Sequence, residues 1–159
     1  MKTLSLDLGV NTGWAFFDSE VPRSSEDQLL INSGHISHAK EKDDPEGVIY
    51  RQFRAWLVDM IKKWKPDQIV FEEVRGQWRN VQAQHYYESM RGILLMEIYA
   101  YGITFASCHQ MTLKKSVIGN GHAKKKEVIK FILEFHNKQV TDDEADAIML
   151  IHHYHNIGK

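Results

Sequence analysis

The order of hydrophobic periodicities along the chain limits its fold more than any other feature. Apolar residues alternate with a period of two near the N-terminus, and further on recur mostly at steps of three and four. The predicted strands are 3–8, 14–17, 29–36, 68–72 and 103–108. The predicted helices are 48–64, 81–101, 114–118, 124–136 and 142–155. Three leading strands followed by alternating helix and strand predict an α/β fold with a mixed five-stranded sheet flanked by helices.

Acidic residues lie at the ends of two predicted strands and at the start of the last predicted helix. Asp7 ends the first strand region, and Glu72 and Glu73 follow the fourth. Asp143 and Asp146 share one face of the last helix, because they are three residues apart. Carboxylates gathered from distant segments repel one another, so such a cluster favours bound cations. Hard ions such as Mg²⁺ prefer oxygen ligands, and two of them about 4 Å apart can act on a phosphodiester.

The charge of the chain is unevenly distributed. The formal net charge of −1 argues against a nucleic-acid-binding protein when taken alone. Between positions 114 and 130, however, six lysines are opposed by one glutamate, which gives this stretch a charge of +5. A glycine-containing turn at 119–121 precedes the basic helix, and such a turn is suited to phosphate binding. The sequence therefore predicts metal-dependent phosphoryl chemistry on a nucleic acid.

Length and composition indicate an ordinary globular protein. The chain has 159 residues, and we expect one domain over 1–159. No apolar run approaches the roughly 20 residues that cross a bilayer. We expect no signal peptide, because the N-terminal residues lead directly into the first predicted strand. The one cysteine, Cys108, cannot form an internal disulfide, which fits a reducing compartment. We expect a cytoplasmic protein without membrane association.

Four segments, in this order and at these distances, are informative together: residues 7–15, 69–74, 113–125 and 143–147. They resemble RuvC, the bacterial Holliday-junction resolvase of the ribonuclease-H-like superfamily, or a compact phage-type member. The resemblance implies a ribonuclease-H-like mixed sheet over nearly the whole chain. It also implies a structure-selective endodeoxyribonuclease that resolves four-way or branched DNA junctions and leaves 5′-phosphate ends. A homodimer through the helix around 81–101 is implied as well, since paired cleavage requires two active sites.

The resemblance also assigns roles to individual residues. The implied catalytic residues are Asp7, Glu72, Asp143, Asp146 and Lys125. The four acidic residues would hold two Mg²⁺ ions, for which Mn²⁺ is a substitute, and the lysine would offset charge on the phosphate. The implied or predicted DNA contacts are Lys114, Lys115, Lys124, Lys126, Arg75 and Trp78.

Several assignments stay open at this level. Only one of Glu72 and Glu73 can face the same side of the sheet as Asp7, and the resemblance favours Glu72. The acidic run 142–144 is also typical of a helix N-terminus with no further role. Many resolvases carry an aromatic wedge after the glutamate strand. Here Arg75 takes that place, and the alternatives for the wedge are Trp78, Tyr86 and Tyr87.

The remaining alternatives concern function. The histidines 152, 153 and 155 lack cysteine partners, so a zinc site is not favoured, although one of them could carry protons. A nuclease for RNA–DNA hybrids or other branched nucleic acids would use the same carboxylates. An actin-like ATP-binding domain uses a hairpin like 7–15, but needs a second domain for which this chain is too short. A non-catalytic DNA-binding module is disfavoured by the intact acidic set.

Overall fold

The computed structural model describes residues 1–21, 31–74 and 80–158. The strands are β1 (Lys2–Asp7), β2 (Asn11–Asp18), β3 (Asn32–Ser37), β4 (Gln68–Glu72) and β5 (Thr104–Cys108). The helices are α1 (Gly47–Trp64), α2 (Val81–Tyr101), α3 (Gln110–Ile118), α4 (Lys125–His136) and α5 (Asp142–His155). The predicted order of elements is confirmed, and the bounds of α2 and α5 are those expected from the sequence. None of the helices in the described residues is both long and apolar enough to cross a membrane.

The strands form one mixed sheet in the order β3-β2-β1-β4-β5. β1 and β2 pair antiparallel, as do β2 and β3. β4 pairs parallel with β1 on one side and with β5 on the other. Because Leu6 is paired with Phe71, the residues that follow them, Asp7 and Glu72, lie at the same edge of the sheet. The predicted α/β class with a mixed five-stranded sheet is confirmed.

The two faces of the sheet pack against different helices. Leu4, Leu6 and Phe71 face a core formed with α1 and α2. Val70 belongs to a second core, which includes Ile148 and the rest of the buried part of α5. Because side chains alternate along a strand, Asp7 and Glu72 lie on the side of α5, opposite the leucines.

Some boundaries differ from the sequence prediction. Gly13, which falls in the turn between the predicted strands 3–8 and 14–17, lies inside β2 and pairs with Asp7 across the sheet. The turn is shorter, because the Thr12 hydroxyl donates to the Gly9 carbonyl (2.8 Å) and allows pairing to resume at once. Helix α3 begins at Gln110 rather than 114, because the side chain of His109 caps its first turn. The predicted strand 29–36 is found at 32–37, with positions 29 and 30 outside the described residues.

Candidate active site

Asp7 lies at the point where β1, β2 and α5 meet. It ends β1 and is paired with Gly13 of β2. A Cβ atom on Gly13 would lie 1.8 Å from the carbonyl oxygen of Asp143, so the first turn of α5 passes directly over this glycine. Only glycine permits an approach this close. The contact brings the start of α5 next to the end of β1.

Helix α5 is held against β1 by polar contacts as well as by its apolar face. The side chain of Thr141 caps the helix by accepting a hydrogen bond from the Glu144 N–H. The buried Ser5 hydroxyl donates to the Ala147 carbonyl oxygen (2.7 Å), which ties β1 to the second turn of the helix. Asp146 is partly buried, whereas all the residues from Ala147 to His152 are buried. Asp143 and Asp146, which are both partly buried, therefore lie on the rim of the buried part of the helix.

The two glutamates after β4 have different surroundings. Glu72 is buried and lies in the field of Asp146 and Lys114. Glu73 accepts a hydrogen bond from the Ser107 hydroxyl (3.4 Å), and its N–H donates to the Cys108 carbonyl (2.9 Å). Of the two, Glu72 therefore faces the carboxylates of β1 and α5.

The acidic side chains raise one another's pKa values. Burial raises the pKa of Asp7 well above its usual value, and the charges of Asp146, Glu72 and Asp143 raise it further. Burial followed by repulsion from Asp146 raises the pKa of Glu72 to about 7. The pKa of Asp146 is raised to about 6, mainly by burial. The pKa of Asp143 is also raised, mainly by burial and next by repulsion from Asp142. The four predicted ligands thus share one electrostatic environment.

Two lysines moderate this acidic cluster. Lys114 of α3 is only 9% exposed, and its charge lowers the pKa values of both Glu72 and Asp146. Lys125 forms an ion pair with Asp142 and also lowers the pKa values of Asp7, Asp143 and Asp146. Lys114 therefore lies inside the site, whereas the largely exposed Lys125 lies at its opening.

The donor set of this cluster fits hard cations. Carboxylate oxygens are the ligands that Mg²⁺ prefers, and bound cations would relieve the repulsion that raises the pKa values. Within residues 1–21, 31–74 and 80–158, no three acidic, histidine or cysteine side chains already surround a single point as a ligand group. Mg²⁺ usually takes only one or two protein carboxylates and keeps several waters. A site for two ions is therefore compatible with this arrangement of Asp7, Glu72, Asp143 and Asp146.

Comparison with known proteins decides the family. The family model described as crossover junction endodeoxyribonuclease RuvC matches residues 8–153. A RuvC protein from Syntrophomonas wolfei is 32% identical over 98% of this chain and 90% of its own length. Another, from Ehrlichia chaffeensis, is 30% identical over 97% of each chain. The chain belongs to the RuvC family. The ATP-binding alternative for the hairpin 7–15 is thereby set aside.

Solved structures of junction resolvases share the fold of this RuvC-family chain. Thermus thermophilus RuvC in complex with a Holliday junction substrate has a TM-score of 0.77 at 18% identity, covering 99% of this chain and 96% of the other. The yeast mitochondrial Holliday junction resolvase Ydc2 has a TM-score of 0.66 at 14% identity, covering 93% and 75%. These likenesses confirm the predicted ribonuclease-H-like architecture of the sheet and its helices.

The other basic and aromatic residues predicted for the RuvC-family site differ from one another in how far they are exposed. Lys115, Lys124 and Lys126 are exposed, as a phosphate-binding surface requires. Arg75 and Trp78 lie outside the described residues. Among the wedge alternatives, Tyr86 is partly buried and faces the Tyr50 ring, with a centroid distance of 6.3 Å. Tyr87 is 3% exposed, which excludes it as a wedge.

The C-terminal histidines of this RuvC-family chain make structural contacts. His152 is fully buried and pairs with His136, Nε2 to Nε2, at 2.7 Å. His153 Nδ1 and the Ser116 hydroxyl are 2.6 Å apart, and His155 Nε2 lies 2.8 Å from the Thr3 hydroxyl. Each ring faces a different partner, so the three histidines are not a shared ligand group.

Two contacts near the site were not predicted from the sequence. That Asp143 of α5 is the segment approaching Gly13 depends on tertiary packing. Glu144, which was expected only as part of the acidic start of a helix, is buried in an ion pair with Lys138 (2.6 Å) and accepts from the Ser33 hydroxyl (2.8 Å). The Ser33 contact ties α5 to β3.

We expect metal-free protein to be destabilised by ionisation of Glu72. In the unfolded chain this carboxyl ionises near its usual pKa, but in the folded protein it stays protonated until about pH 7, because its pKa is raised to about 7. The folded state therefore binds more protons in this interval, and its stability falls as pH rises from about 4.5 to 7. We expect the free energy of unfolding of Glu72→Gln to exceed that of the parent by on the order of 1–3 kcal/mol across this range.

Urea unfolding of both proteins in EDTA, at pH values from about 4.5 to about 7.5, measures this difference. Glu72→Gln is compared with the parent at each pH because two buried histidines change the stability of the protein with pH in the direction opposite to Glu72. Burial lowers the pKa values of His136 and His152 to about 4, so their neutral folded forms favour stability as pH rises. A constant difference between the parent and Glu72→Gln at all pH values would contradict the prediction.

Proposed function

We propose that this chain is a structure-selective endodeoxyribonuclease that resolves Holliday and other branched DNA junctions by metal-assisted phosphodiester hydrolysis. The observation that carries the proposal is the acidic cluster of β1, β4 and α5, whose members raise one another's pKa values beside two lysines. A cluster of this kind in a member of the RuvC family supports a nuclease site. The products would carry 5′ phosphates and 3′ hydroxyls.

The four acidic residues Asp7, Glu72, Asp143 and Asp146 would hold two Mg²⁺ ions, for which Mn²⁺ is a substitute. When bound, such a pair activates water and stabilises the leaving oxygen. The chain supplies the oxygens from three separate elements, and the close contact at Gly13 determines where the α5 carboxylates lie relative to Asp7. The buried Lys114, whose charge acts on both Glu72 and Asp146, offsets their negative charge.

Lys125 has a different part in the proposed reaction. Its side chain is 72% exposed and its partner Asp142 is 40% exposed, so the pair is open to solvent. An exposed ion pair is weak, and a DNA phosphate can replace the Asp142 carboxylate as the partner of the lysine. In that position Lys125 would offset charge that develops on the phosphate during attack. Lys115, Lys124 and Lys126 would contact flanking phosphates, which position the DNA without reading its sequence.

A homodimer remains part of the proposal. Resolution of a four-way junction needs two cuts, so two copies of the site must act on one substrate. The helix expected to join them is α2, whose large side chains Met96 and Tyr99 are 53% and 90% exposed. Arg75 and Trp78 would add DNA contacts. The measured mass of the free protein in solution tests the dimer.

The function is tested by cleavage of three labelled substrates: a mobile four-way junction, a flap and an RNA–DNA hybrid. We expect paired symmetric nicks in the junction, dependent on Mg²⁺, and slower cutting of the other two. Faster cutting of the hybrid would favour the alternative nuclease, and no cutting with Mg²⁺ or Mn²⁺ would contradict the proposal.

Two adjacent glutamates provide matched controls for this assay. Glu72→Gln should lose most of the activity, because that carboxylate faces Asp146. Glu73→Gln should retain it, because Glu73 lies towards Ser107 instead. A contaminating nuclease would be indifferent to both changes. Equal losses in the two variants would refute the assignment of Glu72.

A further inference from the structure

The chain that follows Glu72 is held from two sides. On one side, the Glu73 N–H donates to the carbonyl oxygen of Cys108 in β5 (2.9 Å). On the other side, the hydroxyl of Tyr87 donates to the carbonyl oxygen of Glu72 (2.9 Å) and accepts from the N–H of Val74 (3.1 Å). One phenol group of α2 thus binds the backbone before and after Glu73.

The position of these bonds explains why a hydroxyl is needed. β4 ends at Glu72, so Val74 lies beyond the strand and its N–H is satisfied by a side chain instead of a neighbouring strand. The Tyr87 ring is buried in the same core as Leu94 and Phe71, which a phenylalanine could fill equally well. A buried backbone carbonyl or N–H without a partner is costly, so the hydroxyl determines the path of this segment.

We infer that Tyr87 is a positioning residue for the active site, an inference that rests on the proposed role of Glu72 as a metal ligand. By binding the Glu72 carbonyl, the hydroxyl limits rotation of the backbone that carries the carboxylate. The carboxylate is thereby kept towards Asp7 and Asp146 and away from the side of Ser107. Partners of this kind, which hold a ligand rather than the ion, strongly affect metal affinity. Since Tyr87 belongs to α2, it also joins that helix directly to the site.

The test compares Tyr87→Phe with Tyr50→Phe. Each change removes one phenol hydroxyl, but the Tyr87 hydroxyl binds the Glu72 carbonyl, whereas the Tyr50 hydroxyl donates to Glu46 (2.7 Å) at the start of α1. We expect Tyr87→Phe to weaken Mn²⁺ binding about tenfold, measured by calorimetry without DNA. The Mg²⁺ concentration that gives half-maximal junction cleavage should rise by a similar factor. Junction binding in EDTA should stay unchanged, and Tyr50→Phe should match the parent in all three measurements.

The design separates positioning from general stability. Every measurement is made well below the melting temperature of each variant, with circular dichroism to verify the fold. A merely structural role would lower the melting temperature and leave Mn²⁺ affinity unchanged, which would overturn the inference. If the parent protein bound Mn²⁺ but did not cut junctions, the proposed substrate would be wrong, and the calorimetric comparison would still test Tyr87. If Tyr87→Phe does not fold, Tyr87→Met provides a second variant without the hydroxyl.

Discussion

Replacing Asp7 with asparagine is expected to abolish junction cleavage while junction binding survives. The change keeps the shape of the side chain and removes one charge from the centre of the acidic cluster. Cleavage should fall by a factor on the order of 10³ or more, because bound metal contributes several kcal/mol and each tenfold corresponds to about 1.4 kcal/mol. Single-turnover cleavage in Mg²⁺, together with a binding titration in EDTA, measures the two properties separately.

The same variant should be more stable than the parent in the absence of metal. Burial and three neighbouring carboxylates disfavour the ionised form of Asp7, and asparagine removes this penalty. We expect the free energy of unfolding of Asp7→Asn to exceed that of the parent at about pH 7. Asp59→Asn, on the exposed face of α1, serves as the control and should change neither junction cleavage nor stability. Loss of binding together with loss of stability would mean that Asp7 supports the fold instead.

Replacing Gly13 with alanine is the second change with a large expected effect. The new methyl group would collide with the backbone of Asp143, at 1.8 Å from its carbonyl oxygen, and a backbone cannot move aside by a rotamer change. The first turn of α5 must therefore lift from β2, and Asp143 and Asp146 move away from Asp7. We expect destabilisation of about 1–3 kcal/mol from overpacking. Cleavage should fall about 10²-fold, since a shift of about 1 Å in a catalytic group has such an effect.

A glycine elsewhere in the chain provides the control for this prediction. Gly47, at the start of α1, has open space on the side where a methyl group would point, with no described atom within 4 Å of it. Gly47→Ala should therefore leave cleavage unchanged. Urea unfolding and single-turnover cleavage are measured for both variants. If Gly13→Ala retained the activity of the parent, α5 would have to tolerate displacement, and the proposed coupling between β2 and the carboxylates would be wrong.

The elements of the fold could be predicted because each carries its own periodicity. Alternation in β1 and the three- and four-residue spacing in α1 depend only on which side of each element is buried. The same local logic brought Asp7 and Glu72 to strand ends and put Asp143 and Asp146 on one helix face. Prediction from local periodicity was wrong where a strand boundary depends on the neighbouring strand, as at Gly13, which pairs with Asp7 of β1 instead of lying in a turn.

The positions of individual side chains in the site could not be predicted in this way. Lys114 was expected as a DNA contact, but its burial beside the acidic cluster, where its charge lowers the pKa of Glu72, depends on packing. Tyr87 was one alternative for an exposed wedge, yet its hydroxyl binds the backbone at Glu72. Both outcomes depend on how α2 and α3 pack against the ends of β4 and β5.

By itself, then, the amino-acid order determined the kinds of element, their succession and the residues able to supply acidic oxygens. Only the tertiary structure decided that Glu72 rather than Glu73 faces the other carboxylates, and that α5 approaches β2 closely enough to require Gly13. The physical reason is that periodicity reports burial within one element. Register and contact between elements distant in the chain result from packing, in which many segments must fit one another at once.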